Sequence, residues 1–203
     1  NTAALDALNI TQDTPDPIPG YAYYRRDENG DATGYLLEDV ANAAAEALFP
    51  PDEDAIVDGL EKVIGIMNSQ GITTAFDAST GEFEHQVVKR VYDRVAARGD
   101  LNVRVFGAAA AYTKEETDTA VDRAELWRSY VKGDGFHYNA LKIYNDGTVE
   151  AKTAAMFEDY QGDPGNSGYA VFTEQQLITM IADAASRNLD VHVHALGERA
   201  IHE

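Results

Sequence analysis

Two histidines near the end of the sequence, His192 and His194, have the spacing of a chemically useful pair. In a β-strand alternate residues face opposite sides, so LDVHVHALGERA places both imidazoles on one side and Val191 and Val193 on the other. A glycine-containing turn and a helix start follow, which puts His194 at the strand tip where α/β folds usually carry ligands. Imidazole binds zinc and related metals. The pair therefore indicates either a metal site or two hydrogen-bonded interior histidines.

A second strand, ALKIYNDG, carries Lys142, Tyr144 and Asp146 on one face and Leu141 and Ile143 on the other. A lysine on the inner face of a sheet must be neutralised, paired or chemically modified, because an isolated ammonium is costly in a medium of low dielectric constant. The spacing alone leaves two interpretations open. Lys142 forms an ion pair with Asp146, or it takes part in chemistry.

The composition is that of a globular, acidic protein. Acidic residues number 35 and basic residues 16, which gives a formal net charge of -19, and 44% of the chain is hydrophobic. A net charge this negative would repel the phosphate backbone of a nucleic acid, so we expect no nucleic-acid partner. No apolar run approaches the roughly 18 residues of a membrane helix. We expect a soluble protein without a membrane partner or targeting segment; the cytoplasm is favoured, although the compartment stays open. With no cysteine, metal ligands would be His, Asp, Glu or Lys.

The pattern of apolar residues changes at about residue 51. Residues 1–51 are expected to form a loop, a hairpin around an Asn-Gly turn and a short helix. From 52 to 203 apolar-periodic helices alternate with short β-rich runs, which predicts an α/β fold of parallel βα units. The predicted strands are 71–79, 101–110, 140–147 and 189–194.

Two capping boxes mark helix starts in this second part. Thr113 and Glu116 predict a long helix that runs to about Tyr130, and Thr173 and Gln176 predict the helix before the histidine strand. The inner face of that last helix is expected to carry Leu177, Ile178, Ile181 and Ala185.

The motifs LKIYNDGTVEAKTAAM and VHVHALGERA resemble the middle of the metal-dependent amidohydrolases. They are similar to amidohydrolase family 3, in its exoenzyme-regulatory-protein-like and N-substituted formamide deformylase-like branch. Members of that branch pair a K-x-x-x-DG strand with a later HA-[IL]-G-D-R-A strand end. The segments NTAALDALNITQDTPDP, RRDENGDATGYLLE and GITTAFDAS follow the family's order as well. The resemblance extends over nearly the whole chain.

The resemblance implies a (β/α)8 TIM-like barrel, of which this chain would supply about four βα units, with metal at the C-terminal ends of the strands. It implies that Lys142, as a carbamate, and His194 are metal ligands. The complete enzyme would hold one or two divalent ions, with zinc the first choice. Glu198 stands where the family has Asp, which affects any hydrogen bond of the shorter side chain. The residues that would line the site or support its ligands are His192, Tyr144, Asp146 and Arg199.

The implied reaction is hydrolysis of an amide-type, non-peptide C–N bond in a small molecule by a metal-activated water. The family's acid–base Asp, its first-strand H-x-H and its strand-six His are not found in this chain. The chain is therefore expected to be an incomplete, internal part of the catalytic domain and to be inactive by itself. A non-catalytic α/β binding module and a degenerate amidohydrolase-like protein stay open as alternatives, as does a homo-oligomer.

Overall fold

The computed structural model describes residues 1–50, 52–79, 85–130 and 135–203. The chain divides into two compact units. Residues 1–51, 146–170 and 195–203 make up the first, called the loop unit below, and residues 52–145 and 171–194 make up the second, called the sheet unit. Across the described ranges, no helix has both the length and the apolar character needed to cross a membrane.

Helices and strands alternate along most of the chain. In order, they are α1 (Thr2–Ala7), β1 (Tyr24–Arg26), β2 (Ala32–Leu36), α2 (Asp39–Leu48), α3 (Glu53–Ser69), β3 (Thr74–Asp77), α4 (His85–Arg98), β4 (Arg104–Ala111), α5 (Ala120–Tyr130), β5 (Phe136–Tyr144), α6 (Glu174–Ser186), β6 (Asp190–His194) and α7 (Glu198–His202).

In the loop unit, β1 and β2 form the predicted hairpin. The strands are antiparallel, with Tyr24 opposite Leu36 and Arg26 opposite Ala32. The Asn-Gly turn works because Gly30 has a φ of +86°, a left-handed conformation that glycine adopts at little cost. The hairpin prediction is confirmed.

In the sheet unit, strands β3 to β6 form one parallel sheet in the order β3-β4-β5-β6. Each strand pairs with its neighbour in sequence, and helices α4, α5 and α6 make the connections. This is the arrangement that alternating strands and helices predict. The α/β class is confirmed, and the sheet is consistent with part of a TIM-like barrel.

Helices cover one face of this sheet. Phe136 and Tyr138 of β5 and Val105 of β4 belong to a buried cluster that also contains Val57 of α3 and Val95 of α4. Because strand residues alternate between faces, the residues between them belong to the opposite face. We call that opposite side the open face.

Strand β5 is longer at its start and shorter at its end than the predicted 140–147. It begins at Phe136, and its register against β4 shifts at Asn139. This bulge interrupts the alternation of apolar residues, so the sequence pattern does not predict the first half of the strand. The strand ends at Tyr144. The alternation that grouped Asp146 with Lys142 therefore does not reach Asp146.

The long helix predicted to begin at Thr113 is broken. The capping box is present, but it closes only the 3-10 turn Lys114–Glu116, and α5 begins later, at Ala120. The intervening residues include Thr117 and Thr119, which have low helix propensity. The predicted cap at Thr113 is confirmed, and the prediction of one continuous helix from it is wrong.

The inner face predicted for α6 is also partly wrong. Ile178 is 51% exposed and Ile181 is 40% exposed. The buried residues are Leu177, Met180 and Ala184, which follow a spacing of three and four and so form a single stripe. The predicted stripe is displaced from the observed one by about one position around the helix.

Candidate metal-ligand cluster

Four predicted residues meet at the C-terminal ends of β5 and β6 in the sheet unit. Lys142 lies opposite His192 and Tyr144 lies opposite His194 in the register of the two strands. All four belong to the open face, because Leu141 and its alternating neighbours face the helices. The parallel pairing thus brings together side chains that are some fifty positions apart in the sequence.

Lys142 is buried, with only 5% of its surface exposed. Its register partner on β4 is Ala110, and the small side chains of Ala108 and Ala140 lie on the same face, which leaves room for the long side chain. Its Nζ lies 4.6 Å from the centroid of the Tyr144 ring. Among the residues that the structure describes, no ion pair includes Lys142, so an ion-paired lysine finds no support.

Burial of the Lys142 side chain lowers the pKa of its ammonium group. The cause is desolvation, which disfavours the charged form of a base. A lower pKa increases the fraction of neutral amine at a given pH. Neutral amine is the form that can react with carbon dioxide to give a carbamate.

His192 lies beside Lys142 and has a lowered pKa. Burial is the largest cause, followed by the positive charge of Lys142 and then by His194. Its ring is 5.6 Å from that of Phe76. Within the described part of the chain, its buried Nδ1 has no hydrogen-bond partner. These features favour a neutral imidazole.

His194 is the last residue of β6. Its ring centroid lies 5.4 Å from that of Tyr144, and its backbone carbonyl accepts a 3.0 Å hydrogen bond from the amide of Asn145. The tip position predicted for His194 is therefore found. Its role as a metal ligand stays a prediction.

An open cavity of about 470 Å³ adjoins this cluster on the sheet unit. Phe76 and Phe106 supply apolar walls, and His192, Asn139 and Asp190 supply polar groups. The amide nitrogen of Asn139 donates to Asp190 at 3.0 Å, while the buried Oδ1 of Asn139 has no partner among the described residues. Phe76 is 48% exposed, so this side of the sheet is only partly covered.

Asp146, in the loop unit, has a different environment. It is 1% exposed, and its carboxylate accepts three backbone amides: Ala155 at 3.0 Å, Leu196 at 3.0 Å and Gly197 at 2.7 Å. Such a carboxylate connects the 147–170 loop with the turn before α7. The predicted lining role of Asp146 stays a prediction, and the observed contacts are those of a loop anchor.

Arg199 contributes to the same loop. Its Nε donates to the carbonyl of Met156 at 3.1 Å, and its second terminal nitrogen donates to the carbonyl of Gly168 at 3.4 Å. Glu198, which replaces the family's Asp, accepts the amide of Phe157 at 3.3 Å. The longer side chain therefore still reaches a backbone donor.

Three residues at the strand ends are not among the site residues that the sequence predicts. Tyr112 directly follows β4, and its ring stacks on that of Tyr144 at a centroid distance of 4.9 Å. Ser79 follows β3 by two residues, and its hydroxyl lies 3.1 Å from that of Tyr112. Burial raises the pKa of Asp77, the last residue of β3. A signal is nevertheless present in the sequence, because polar residues at the ends of predicted parallel strands fall at the functional edge of the sheet.

The candidate metal ligands among the described residues are Lys142 and His194. No cluster of three or more His, Cys, Asp or Glu suited to a metal ion occurs among the described residues. Lys142 is outside that group of residue types, because a lysine binds metal only as a neutral amine or a carbamate. A buried lysine and a neighbouring strand-end histidine fit two of the ligands of a divalent ion.

Comparisons with known proteins agree with the motifs. AepA, the exoenzymes regulatory protein of Pectobacterium carotovorum subsp. carotovorum, is 29% identical over 203 residues, which cover 98% of this chain and 42% of AepA. The putative amidohydrolase YtcJ of Bacillus subtilis is 29% identical over 201 residues, which cover 98% of this chain and 36% of YtcJ. The chain thus spans about two fifths of the length of these curated relatives.

The fold is similar to that of a solved, uncharacterized metal-dependent hydrolase from Pyrococcus horikoshii OT3. The TM-score is 0.62 at 21% identity, over all of this chain and 38% of the other. The sequence profile of the Amidohydrolase family matches residues 1–203. As the motifs around Lys142 and His194 predict, the chain belongs to the amidohydrolase family, in amidohydrolase family 3.

Proposed function

We propose that the full-length protein is a metal-dependent hydrolase that cleaves amide-type, non-peptide C–N bonds in small molecules. Lys142 and His194 would be two of its metal ligands, and the described sheet would be part of a (β/α)8 barrel. Membership of the amidohydrolase family supports the hydrolase class. The fold shared with a metal-dependent hydrolase is consistent with the barrel.

The observation that carries the proposal is the burial of Lys142 without an ion-pair partner among the described residues. A structural lysine at 5% exposure would normally be ion-paired, because an unpaired buried charge is costly. A neutral amine can instead add to carbon dioxide, forming an N–C bond and releasing a proton. The resulting carbamate is an anionic oxygen ligand, and a bound divalent cation would balance its negative charge.

The side chains of the cluster would then have separate tasks. Lys142, as the carbamate, and His194, as the neutral imidazole, would hold the metal. When bound, such a metal lowers the pKa of a coordinated water to about 7 and polarises the substrate carbonyl. His192 and Tyr144 would line the site and exclude bulk water from it. Imidazole and anionic oxygen are ligands that zinc accepts, so zinc is our first choice for one or two ions.

The test is hydrolysis by the purified full-length protein of a panel of N-formyl, N-acyl and cyclic amides, before and after chelation and with zinc restored. Lys142→Met is compared with Lys62→Met, which changes an exposed lysine of α3. We expect hydrolysis that is lost on chelation, restored by zinc, abolished in Lys142→Met and retained in Lys62→Met. Hydrolysis that survives both chelation and Lys142→Met would contradict the proposal, as would failure to cleave any amide in the panel.

A further inference from the structure

Three side chains outside the predicted ligand pair form a row along the C-terminal ends of three strands of the sheet unit. Ser79 follows β3, Tyr112 follows β4, and Tyr144 is the last residue of β5. The Ser79 and Tyr112 hydroxyls are 3.1 Å apart. The Tyr112 and Tyr144 rings are stacked, with centroids 4.9 Å apart and planes inclined by 11°. We call the stacked pair Tyr112 and Tyr144 the aromatic brace.

Tyr144 connects the brace to the proposed ligands. Lys142 Nζ lies 4.6 Å from the centre of the Tyr144 ring, and the His194 ring lies 5.4 Å from it. Lys142 extends from the same strand, whereas His194 extends from β6, where it is the register partner of Tyr144. One aromatic ring therefore contacts both groups that would have to converge on a metal.

Fixing these two groups is a physical requirement of the site. Lysine has four rotatable side-chain bonds, and no ion pair within the described ranges holds Lys142, so its amine would otherwise sample several positions. The ring of Tyr144 lies against the end of the Lys142 side chain and removes part of that freedom. Tyr112 in turn holds the Tyr144 ring in one orientation, because near-parallel stacking at 4.9 Å blocks rotation of either ring.

We propose that the aromatic brace fixes the positions of Lys142 Nζ and the His194 imidazole, which makes Tyr144 and Tyr112 positioning residues for the reaction proposed above. The inference rests on that proposed function. Tyr112 is the best residue to substitute, because its ring stacks on Tyr144 and so acts on Lys142 and His194 through that ring. A misplacement of about 1 Å at a reacting centre can cost on the order of a hundredfold in rate.

The kinetic test compares Tyr112→Leu, which removes the stacked ring, with Tyr112→Phe, which keeps the ring and removes only the hydroxyl. We expect Tyr112→Leu to lower kcat about tenfold or more, with KM changed less than about threefold, as for groups that act on the reaction rather than on binding. Tyr112→Phe should retain most of kcat, because it removes the hydrogen bond to Ser79 and keeps the stacked ring. If Tyr112→Leu fails to fold, Tyr112→Met replaces it as the ring-deleting variant.

A second measurement does not depend on activity or metal. In metal-free full-length protein labelled with ¹³C at lysine Cε, the Lys142 signal is identified by its loss in Lys142→Arg. Lysine methylene protons above an aromatic ring resonate upfield. We expect an upfield Lys142 signal that moves toward the random-coil position in Tyr144→Leu and in Tyr112→Leu and stays in place in Tyr112→Phe.

The two measurements separate the possible failures. An upfield Lys142 signal that depends on Tyr112, in a protein that cleaves no amide, would uphold the brace geometry and overturn the proposed reaction. A Lys142 signal and a kcat that are both unchanged by removal of the Tyr112 ring would overturn the brace, whatever the reaction.

Discussion

Lys142 of the sheet unit and Asp146 of the loop unit lie four positions apart in sequence and are both buried, yet their partners differ. Asp146 accepts three backbone amides at 2.7 to 3.0 Å. Lys142 has an aromatic ring beside it and, among the described residues, no ion pair. A buried polar group whose hydrogen bonds are satisfied stabilises the fold. A buried lysine that forms no ion pair among the described residues is better suited to chemistry, because burial favours its neutral amine.

Two residues of the same motif therefore have different surroundings. The K-x-x-x-DG pattern places the lysine and the aspartate together in the sequence, and the resemblance implies a site role for both. In the folded chain both carboxylate oxygens of Asp146 accept backbone amides. We therefore expect Asp146 to serve stability and Lys142 to serve reactivity.

The largest expected effect is that of Asp146→Ala on stability. It would leave the amides of Ala155, Leu196 and Gly197 without the acceptor they now have. At about 1–3 kcal/mol for each buried donor left unpaired, we expect the free energy of unfolding to fall by about 3 kcal/mol or more. Urea denaturation measures this. Asp6→Ala, at an exposed position of α1, should change it by less than about 0.5 kcal/mol, and equal losses in the two variants would contradict the anchor role.

A somewhat smaller loss is expected for Gly197→Ala, which tests the same anchor from the backbone side. A Cβ at Gly197 would overlap the carbonyl oxygen of Ala155. Forcing this overlap should cost about 1–3 kcal/mol of unfolding free energy. The matched control is Gly59→Ala in α3, where an added Cβ meets no atom within 4 Å and a gain of about 0.5–1 kcal/mol is expected. A gain in both variants would show that the turn adapts freely.

Lys142→Met should change stability little and abolish activity. It replaces a buried amine with an apolar side chain of similar length. In metal-free protein we expect unfolding free energy to change by less than about 1 kcal/mol, in either direction. Chemical denaturation is read beside hydrolysis of the same preparation. A destabilisation as large as that of Asp146→Ala would show that Lys142 is a structural residue after all.

The smallest expected effect is that of Asp77→Asn on the pH dependence of stability. Asp77 is the last residue of β3. Burial raises the pKa of this carboxyl, while a hydrogen bond from the Ser79 amide lowers it to a lesser degree. An acid whose folded-state pKa exceeds its unfolded value of about 3.9 contributes stability that is fully present below that value. The contribution is lost as the pH rises through the folded-state pKa.

Asp77→Asn should therefore reduce this pH dependence. We expect the stability difference between the variant and the wild type to move in favour of the variant as the pH rises from about 4 toward neutrality. Unfolding curves at several pH values measure it. A difference that stays constant over this range would mean that the Asp77 carboxyl has the same pKa in the folded and unfolded states.

The regular parts of this fold could be predicted from sequence because they depend on local patterns. The hairpin follows from an Asn-Gly turn, and the parallel strands follow from their alternation with helices. The common face of Lys142 and Tyr144, and that of His192 and His194, follows from the period of two. The irregularities in β5 and α5 were not predicted, because a bulge at Asn139 and a weak helix former at Thr117 break those patterns.

The partners of the buried polar groups could not be predicted, because they are tertiary. Asp146 reaches amides nine and fifty-one positions away, and Ser79 and Tyr112 are thirty-three positions apart. No periodic signal connects such residues. The motif predicted both residues as site residues, and the structure shows that Asp146 accepts backbone amides whereas Lys142 forms no ion pair among the described residues.

The most direct test of the proposed metal site is the metal content of the full-length protein. Purified protein is loaded with zinc, freed of excess metal and analysed by mass spectrometry, with Lys142→Met and His194→Asn beside a control, His202→Asn, at an exposed position of α7. We predict one or two zinc ions per chain in the wild type and the control and less than about half as much in each ligand variant. Wild-type zinc content in both Lys142→Met and His194→Asn would contradict the central claim that these two residues bind the metal.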